Sequence, residues 1–345
     1  MKPEMLDARQ RARRRLSQAL PLLACGLALP QVRARSGVYR GSRPLMGTRL
    51  DLTLQGDDDA ALAHAAELAF AEMARLADLM SRYRATGALN AIHLAAGLQP
   101  VRVPPELMQV LRMAQAAAQA SGGAFDATVG SLRSWDFNPQ QPSIASAEQV
   151  AAELPLVGFA ALQLDERAGT AYLARRGVRL DLGGIAKLPI LQAGMQVLLR
   201  EGVANAMING GGDVLVHGQL DGHDWRIGLR DPRRPQQLLG TVALNRGFVA
   251  ASGDYERFVM REGQRLHHVL DPKTGYPTRG PHGVALISEH LEAINGLGTA
   301  IMVAGANAGR ERLHTLPSVD ALIVDADNEL WLSPGMTKRL QAAKG

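Results

Sequence analysis

The chain has 345 residues, 46% of them apolar and 4% aromatic, with 36 glycines, which suits one large globular domain or two small ones and excludes fibrous and disordered classes. The formal net charge of +5 is confined to the first 34 residues, where seven Lys and Arg face only Glu4 and Asp7. The remainder balances acid against base, so nucleic acid is not expected as a partner.

The start has the order of an export signal over 1–34. A basic segment is followed by an apolar run from Leu16 to Leu29 and by Val32-Arg33-Ala34, a small-x-small cleavage site. The run is too short for a stable membrane-spanning helix. Arg13-Arg14-Arg15-Leu16 resembles a twin-arginine signal, and Leu22-Leu23-Ala24-Cys25 loosely matches a lipoprotein site, which would make a lipid anchor at Cys25 the one membrane contact. A basic N-terminus of a cytoplasmic protein is the plain alternative; export places the mature chain in the periplasm. Cys25 is the only cysteine, so cleavage after Ala34 leaves neither disulfide nor thiolate site.

The body then alternates strand and helix signals. Thr48 to Leu54 alternates as a strand, and Asp57-Asp58-Asp59 caps an amphipathic helix reaching about Tyr83. A second helix follows Pro104-Pro105 and ends at Ser121-Gly122-Gly123. Leu162 to Asp181 reads as two or three strands, Gly183-Gly184 as a turn, and Ile185 to Leu199 as a helix that tolerates Pro189 near its start. Strands with glycine-rich turns run from Ala204 to Ser252, and a hairpin spans Arg257 to Leu270 around Glu262-Gly263. A strand at Val284 to Ser288, a helix from Leu291 to Ala304 and a hairpin at Asp325-Ala326-Asp327-Asn328 close the chain. Strands and helices do not alternate strictly, which predicts an α+β fold, a single domain of mixed antiparallel sheets with packed helices over 43–335, followed by a tail at 336–345.

The stretch 178–194, VRLDLGGIAKLPILQAG, has two readings: a phosphate-binding turn at a helix N-terminus, or a tight strand-to-helix connection with a solvated lysine. Its neighbours in the sequence decide between them. Met46-Gly47-Thr48, Ser81-Arg82-Tyr83, Gly123 to Gly130 with Trp135, Asp181 to Lys187, Asn209-Gly210-Gly211-Gly212-Asp213, Ala251 to Arg257 and His267 to Pro277 stand in the order seen in one family. Over roughly residues 43 to 335 the chain resembles the FAD:protein FMN transferases, the ApbE family. That resemblance favours the phosphate-site reading.

It implies an exported enzyme that cleaves FAD, attaches FMN through its phosphate to a Thr or Ser of a target protein, with a redox protein as the natural target, and releases AMP with the help of Mg2+. By the same resemblance Met46, Tyr83 and Ala124-Phe125-Asp126 contact the flavin nucleotide, while Asp181 and Lys187 hold it. Gly184, Asn295 and Thr299 stand at the metal positions. Asn209 and Asp213 read as support for the site, as nucleotide contacts, or as plain turn chemistry. His267 and His268 are adjacent, so on a strand only one looks into the site, where it would take the proton of the attacking hydroxyl with Asp271 orienting it. The chain departs from the family where an aspartate is Asn295, four residues before Thr299 on the expected helix, and where Leu188 and Gln192 follow Lys187. Two functions remain open at this point: a transferase with a modified metal site, or an FAD-binding paralogue without turnover that carries flavin or assists maturation of a redox enzyme.

Overall fold

The alternation at Thr48 to Leu54 becomes the inner strand of a hairpin in the computed structural model, which describes residues 37–138 and 140–342. The expected export signal, with Arg13, Arg14 and Cys25, lies outside the described residues. Strands β1 (Gly37–Leu45) and β2 (Thr48–Gly56) are joined by Met46 at φ 54° and Gly47 at φ 69°. Two left-handed residues make the turn whose twist matches that of the strands. Asp58 then accepts the N–H groups of Ala60 and Ala61 and starts α1 (Asp59–Leu79), which stops four residues short of Tyr83.

The chain continues through α2 (Ala88–Leu94), β3 (Val101–Arg102) and α3 (Pro105–Ala120), whose first residue is the proline that fits a helix start. Helix α4 (Ala147–Glu153) opens with a reciprocal Ser146 and Gln149 cap. Two strands, β4 (Leu162–Asp165) and β5 (Thr170–Leu173), precede α5 (Lys187–Arg200). Then come β6 (Asn205–Gly210), β7 (Asp213–His217), β8 (Trp225–Arg230), β9 (Leu238–Leu244), β10 (Arg246–Gly253), β11 (Phe258–Arg261), β12 (Gln264–His267) and β13 (Gly283–Ser288). The end consists of α6 (Leu291–Ile294), α7 (Leu297–Ala304), α8 (Ala306–His314), β14 (Asp320–Val324), β15 (Leu330–Leu332) and α9 (Pro334–Arg339).

Eight strands form one antiparallel sheet in the order β1-β2-β6-β7-β10-β13-β14-β15. Its central strands are buried on both faces, and their side chains sort by parity. Leu215, Phe248, Leu286 and Ile323 enter the larger core beneath α1, α5 and α7, whereas Val214, Val216, Val249, Ile287 and Leu322 enter a second core covered by the β8–β9 hairpin. The fold is therefore α+β with antiparallel sheets, as the sequence pattern predicts.

Three boundaries differ from expectation. The helix predicted from Leu291 to Ala304 is two helices, because Asn295 is extended and Gly296 takes φ 79°. A Cβ on Gly296 would lie 3.0 Å from Ile185 Cδ1, 3.1 Å from Ala117 Cβ and 3.3 Å from Phe125 Cδ2, so the break is built around a glycine-sized gap. At the C-terminus the expected tail is part of the body: Met336 is fully buried in the second core, and Gln341 exchanges two 2.8 Å backbone hydrogen bonds with Thr241 of β9. At the other end β1 already begins at Gly37, ahead of residue 43.

Candidate active site

Asp181 stands at the start of the turn that leads into α5. Its N–H donates to the Ala127 carbonyl at 2.7 Å, its Oδ1 accepts the Gly183 N–H at 2.8 Å, and its Oδ2 lies 3.1 Å from Arg82 Nη1. Lys187 is the first residue of α5, where unpaired N–H groups and the positive end of the helix favour an anion. Its ammonium rests 2.8 Å from Asp213 Oδ2. Leu188, one of the departures, is 4% exposed and belongs to the large core, so it packs rather than lines the turn; Gln192, the other, is half-buried one turn further along α5.

The Gly210 to Gly212 turn lies against Lys187, since a Cβ on Gly210 would be 3.6 Å from the lysine Cδ. Asn209 Oδ1 fastens that turn by accepting the Gly212 N–H at 3.0 Å. A Cβ on Gly211 would collide with Thr48 Oγ1, which places the Met46-Gly47-Thr48 turn beside this one. Met46 itself is half-buried against the large core in a left-handed conformation unusual for a residue with a side chain.

Gly184, Phe125 and Thr299 meet at a point: a Cβ on Gly184 would lie 3.3 Å from both the Phe125 ring and Thr299 Oγ1. Phe125 is 3% exposed, and its neighbour Ala124 is half-buried on the same core. Asp126 turns inward instead. Its Oδ1 accepts from Thr128 N and Oγ1 at 2.8 and 2.6 Å, and burial raises its pKa, so this carboxylate shapes the turn while Phe125 lines it. Tyr83 is 78% exposed, held through its hydroxyl by Arg82 Nη2 at 3.0 Å.

The two histidines diverge. His267 uses both ring nitrogens: Nε2 donates to the Thr278 carbonyl at 2.8 Å and Nδ1 accepts the Val269 N–H at 3.4 Å. His268 Nδ1 lies 3.3 Å from the Arg257 carbonyl. A carbonyl only accepts, so the proton sits on Nδ1 and Nε2 keeps a lone pair, with no hydrogen-bond partner among the described residues. Burial, then the charge of Arg257, pushes the His268 pKa down to about 3, opposed by the nearby Asp181 carboxylate. The ring is therefore neutral across the physiological range. Asp271 hydrogen-bonds neither histidine; its carboxylate accepts Lys273 N–H at 2.8 Å and Thr274 Oγ1 at 3.2 Å, closing the turn that carries them. The expectation that Asp271 orients a histidine is corrected: its carboxylate is spent on its own turn, and the Arg257 carbonyl holds His268 Nδ1.

Asn295 is corrected too. It does not share a helical face with Thr299, because the helix is interrupted between them, and its Nδ2 donates to the Ile185 carbonyl at 2.9 Å. Among the described residues no three His, Cys, Asp or Glu side chains cluster as metal ligands. The polar group placed beside Gly184 is Thr299 Oγ1, while Asn295 reaches the same turn by donating to the Ile185 carbonyl. Hydroxyl, amide and carbonyl oxygens are the type that a hard cation takes, and the nearest carboxylate, Asp181, is engaged by Gly183 N–H and Arg82.

His93 was invisible to sequence reasoning. It sits on α2, 8% exposed, and its Nε2 accepts the N–H of Leu180, the residue before Asp181, at 2.9 Å. Its Nδ1 is buried with no hydrogen-bond partner among the described residues. Burial lowers its pKa to about 4, with the charges of Arg179 and Arg82 adding to the effect. Only the fold brings α2 under the Asp181 turn.

With this geometry in place, the comparisons define the class: the ApbE family model matches residues 46–323, and the chain belongs to that family. It is 32% identical over 301 residues to a FAD:protein FMN transferase of Klebsiella pneumoniae, covering 86% of this chain and 92% of the relative. A FAD:protein FMN transferase of Treponema pallidum is 30% identical over 342 residues, covering 93% and 94%. The crystal structure of the ApbE protein of Thermotoga maritima superposes with a TM-score of 0.81 at 30% identity, over 88% of this chain and all of that one.

Proposed function

We propose that this chain is a FAD:protein FMN transferase, which joins FMN through its phosphate to a threonine or serine of a target protein and releases AMP. The observation that carries the reading is the geometry of His268, whose Nδ1 is fixed on the Arg257 carbonyl while Nε2 has no hydrogen-bond partner among the described residues. Lys187 at the start of α5 supports it by offering a cation and helix N–H groups to a diphosphate. In the step itself the acceptor hydroxyl gives its proton to His268 Nε2 as its oxygen bonds to the FMN phosphorus. The bond from that phosphorus to the bridging oxygen breaks, and AMP leaves with the bridging oxygen and its electron pair. Lys187 balances charge on the diphosphate, exchanging its contact with Asp213 for one with the ligand.

Magnesium is the ion that the neutral oxygens of Asn295, Thr299 and the Gly184 backbone suit, and when bound with FAD it would offset the negative charge of the diphosphate. We further propose that residues 1–34 direct export to the periplasm, by the twin-arginine route or as a lipoprotein at Cys25, and that the acceptor is a redox protein there. Incubation of the protein with FAD, magnesium and an acceptor bearing a reactive threonine should yield AMP and a fluorescent acceptor band. FAD binding without AMP from parent enzyme would instead establish a flavin carrier. A reporter active only outside the cytoplasm, fused after residue 36, should be exported; retention inside would refute the proposed location.

A further inference from the structure

Arg82 reaches from the turn after α1 across to the Asp181 turn. Its base is fixed: Ser81 N–H donates to the Asp78 carbonyl at 3.3 Å, Tyr83 N–H to Ser81 Oγ at 3.2 Å, and Arg84 Nε to Asp78 Oδ1 at 2.9 Å. From there one arm of the guanidinium approaches Asp181 Oδ2 to 3.1 Å and the other donates to Tyr83 Oη at 3.0 Å, with the central carbon 5.0 Å from the Tyr83 ring centre. Asp181 has its second oxygen on the Gly183 N–H, so both of its oxygens are held. Apart from Arg82, the exposed Tyr83 ring has no hydrogen-bond or stacking partner among the described residues.

A dinucleotide diphosphate carries two negative charges toward a turn that already contains a carboxylate. Left alone, Asp181 would repel it. Tied to a guanidinium it presents no net charge, and the planar fork sets the carboxylate and the tyrosine ring in one fixed relation that a flexible ammonium does not reproduce. We infer that Arg82 is a positioning residue for the dinucleotide: it cancels the charge of Asp181 and fixes the Tyr83 ring as a wall of the site. The inference rests on the FAD reading above.

The test is FAD titration by flavin fluorescence with parent, Arg82→Met, Arg82→Lys, Asp181→Asn and the Arg82→Met/Asp181→Asn double variant, each first melted without FAD to establish folding. Arg82→Met is expected to raise the FAD dissociation constant about tenfold or more, while the rate at saturating FAD stays within about threefold, because binding and not the reacting bond is affected. Arg82→Lys, which keeps the charge and loses the fork, should fall between. Added salt weakens FAD binding to the parent, but in Arg82→Met, where the field around Asp181 has turned repulsive, it should weaken binding less or strengthen it. Asp181→Asn should recover part of the lost affinity once Arg82 is gone, since it removes the charge that Arg82 no longer cancels. Where Arg82→Met fails to melt cooperatively, the lysine variant and its salt dependence carry the same test. Parent that binds FAD with Arg82 variants that bind it equally, or penalties at 82 and 181 that simply multiply, would overturn the role of Arg82 and leave the proposed function standing. Failure of the parent to bind FAD would overturn both.

Discussion

Replacing Asn295 by aspartate separates a site that relies on its ligand for charge from one that owns its charge. In the parent, Asn295 is 8% exposed and its amide N–H satisfies the Ile185 carbonyl at 2.9 Å. Aspartate cannot donate there, so the variant leaves a buried carbonyl without its donor and introduces a carboxylate with no cation beside it. The lost donor alone costs about 1–3 kcal/mol, and burial of the charge adds to it. At roughly 2 °C per kcal/mol for a domain of this size, Asn295→Asp should melt about 2–6 °C below the parent in a chelator. Magnesium reverses the order of effect. A carboxylate gives a hard cation the charged oxygen it prefers, so the variant should regain stability with rising magnesium as binding to the native state shifts the equilibrium, whereas the parent without FAD should barely respond. AMP release against magnesium should then reach half-maximum at a lower concentration in the variant. Equal melting temperatures in chelator, or a parent that magnesium stabilises as strongly as the variant, would refute the placement of Asn295 at a cation position.

His268→Ala should lower the transfer rate by about 10²–10⁴-fold, the range for removing a general base, while FAD affinity stays near that of the parent; AMP release and fluorescence titration check the two halves. His93 has a folded pKa near 4, below its ordinary 6.5, so the unfolded state takes up the proton first: its contribution is fully present above pH 6.5 and lost as pH falls toward 4, at up to about 1.4 kcal/mol per pH unit. His93→Gln, which keeps an acceptor for Leu180 N–H, should flatten that slope in denaturant melts taken between pH 7 and 4. Met336→Ala should cost about 2–5 kcal/mol by opening the second core, measurable as a shift in denaturation midpoint; a change under ~0.5 kcal/mol would make the C-terminal segment a tail after all.

What the sequence reveals of the site is its backbone punctuation. Asp181-Leu182-Gly183-Gly184, Asn209 to Asp213 and Asp271 to Gly275 are legible because aspartate, asparagine and glycine close turns through their own local hydrogen bonds, whatever the rest of the fold does. Partnerships across the fold are not. The apolar spacing of Leu291, Ile294, Leu297 and Ile301 fits one continuous helix, and the break at Asn295 follows from Ile185, Ala117 and Phe125 crowding Gly296, three contacts far away in sequence. Likewise the parity of His267 and His268 tells that they part, but only the pairing of Phe258 with His267 and the return of the chain to Thr278 decides that His267 is tied on both nitrogens.

Some failures of local expectation gather round one turn, although others stand elsewhere, among them the left-handed Asp221, Glu262 and Asn328 and the uncapped starts of α2, α3 and α8. Met46 holds a left-handed backbone that a side chain normally avoids, Asn295 leaves its helix, His93 buries a ring nitrogen with no partner among the described residues, and Lys187 opens a helix whose preceding residue offers no side-chain cap. Each lies within one or two contacts of the turn from Asp181 to Lys187: Met46 through Thr48 and the Gly210 to Gly212 turn, Asn295 through Ile185, His93 through Leu180. Stability alone gives no reason to gather an unusual φ, an unpaired N–H and an uncapped helix start around one turn, since each costs free energy that a different residue would recover. A diphosphate does. On the proposed function it would take up the uncapped N–H groups at the start of α5 and the charge of Lys187. Filling this turn with FAD should therefore raise the stability of this region more than that of the β8–β9 side, a difference that amide hydrogen exchange with and without FAD reads directly. Uniform protection on both faces of the sheet would show that the strain has some other origin.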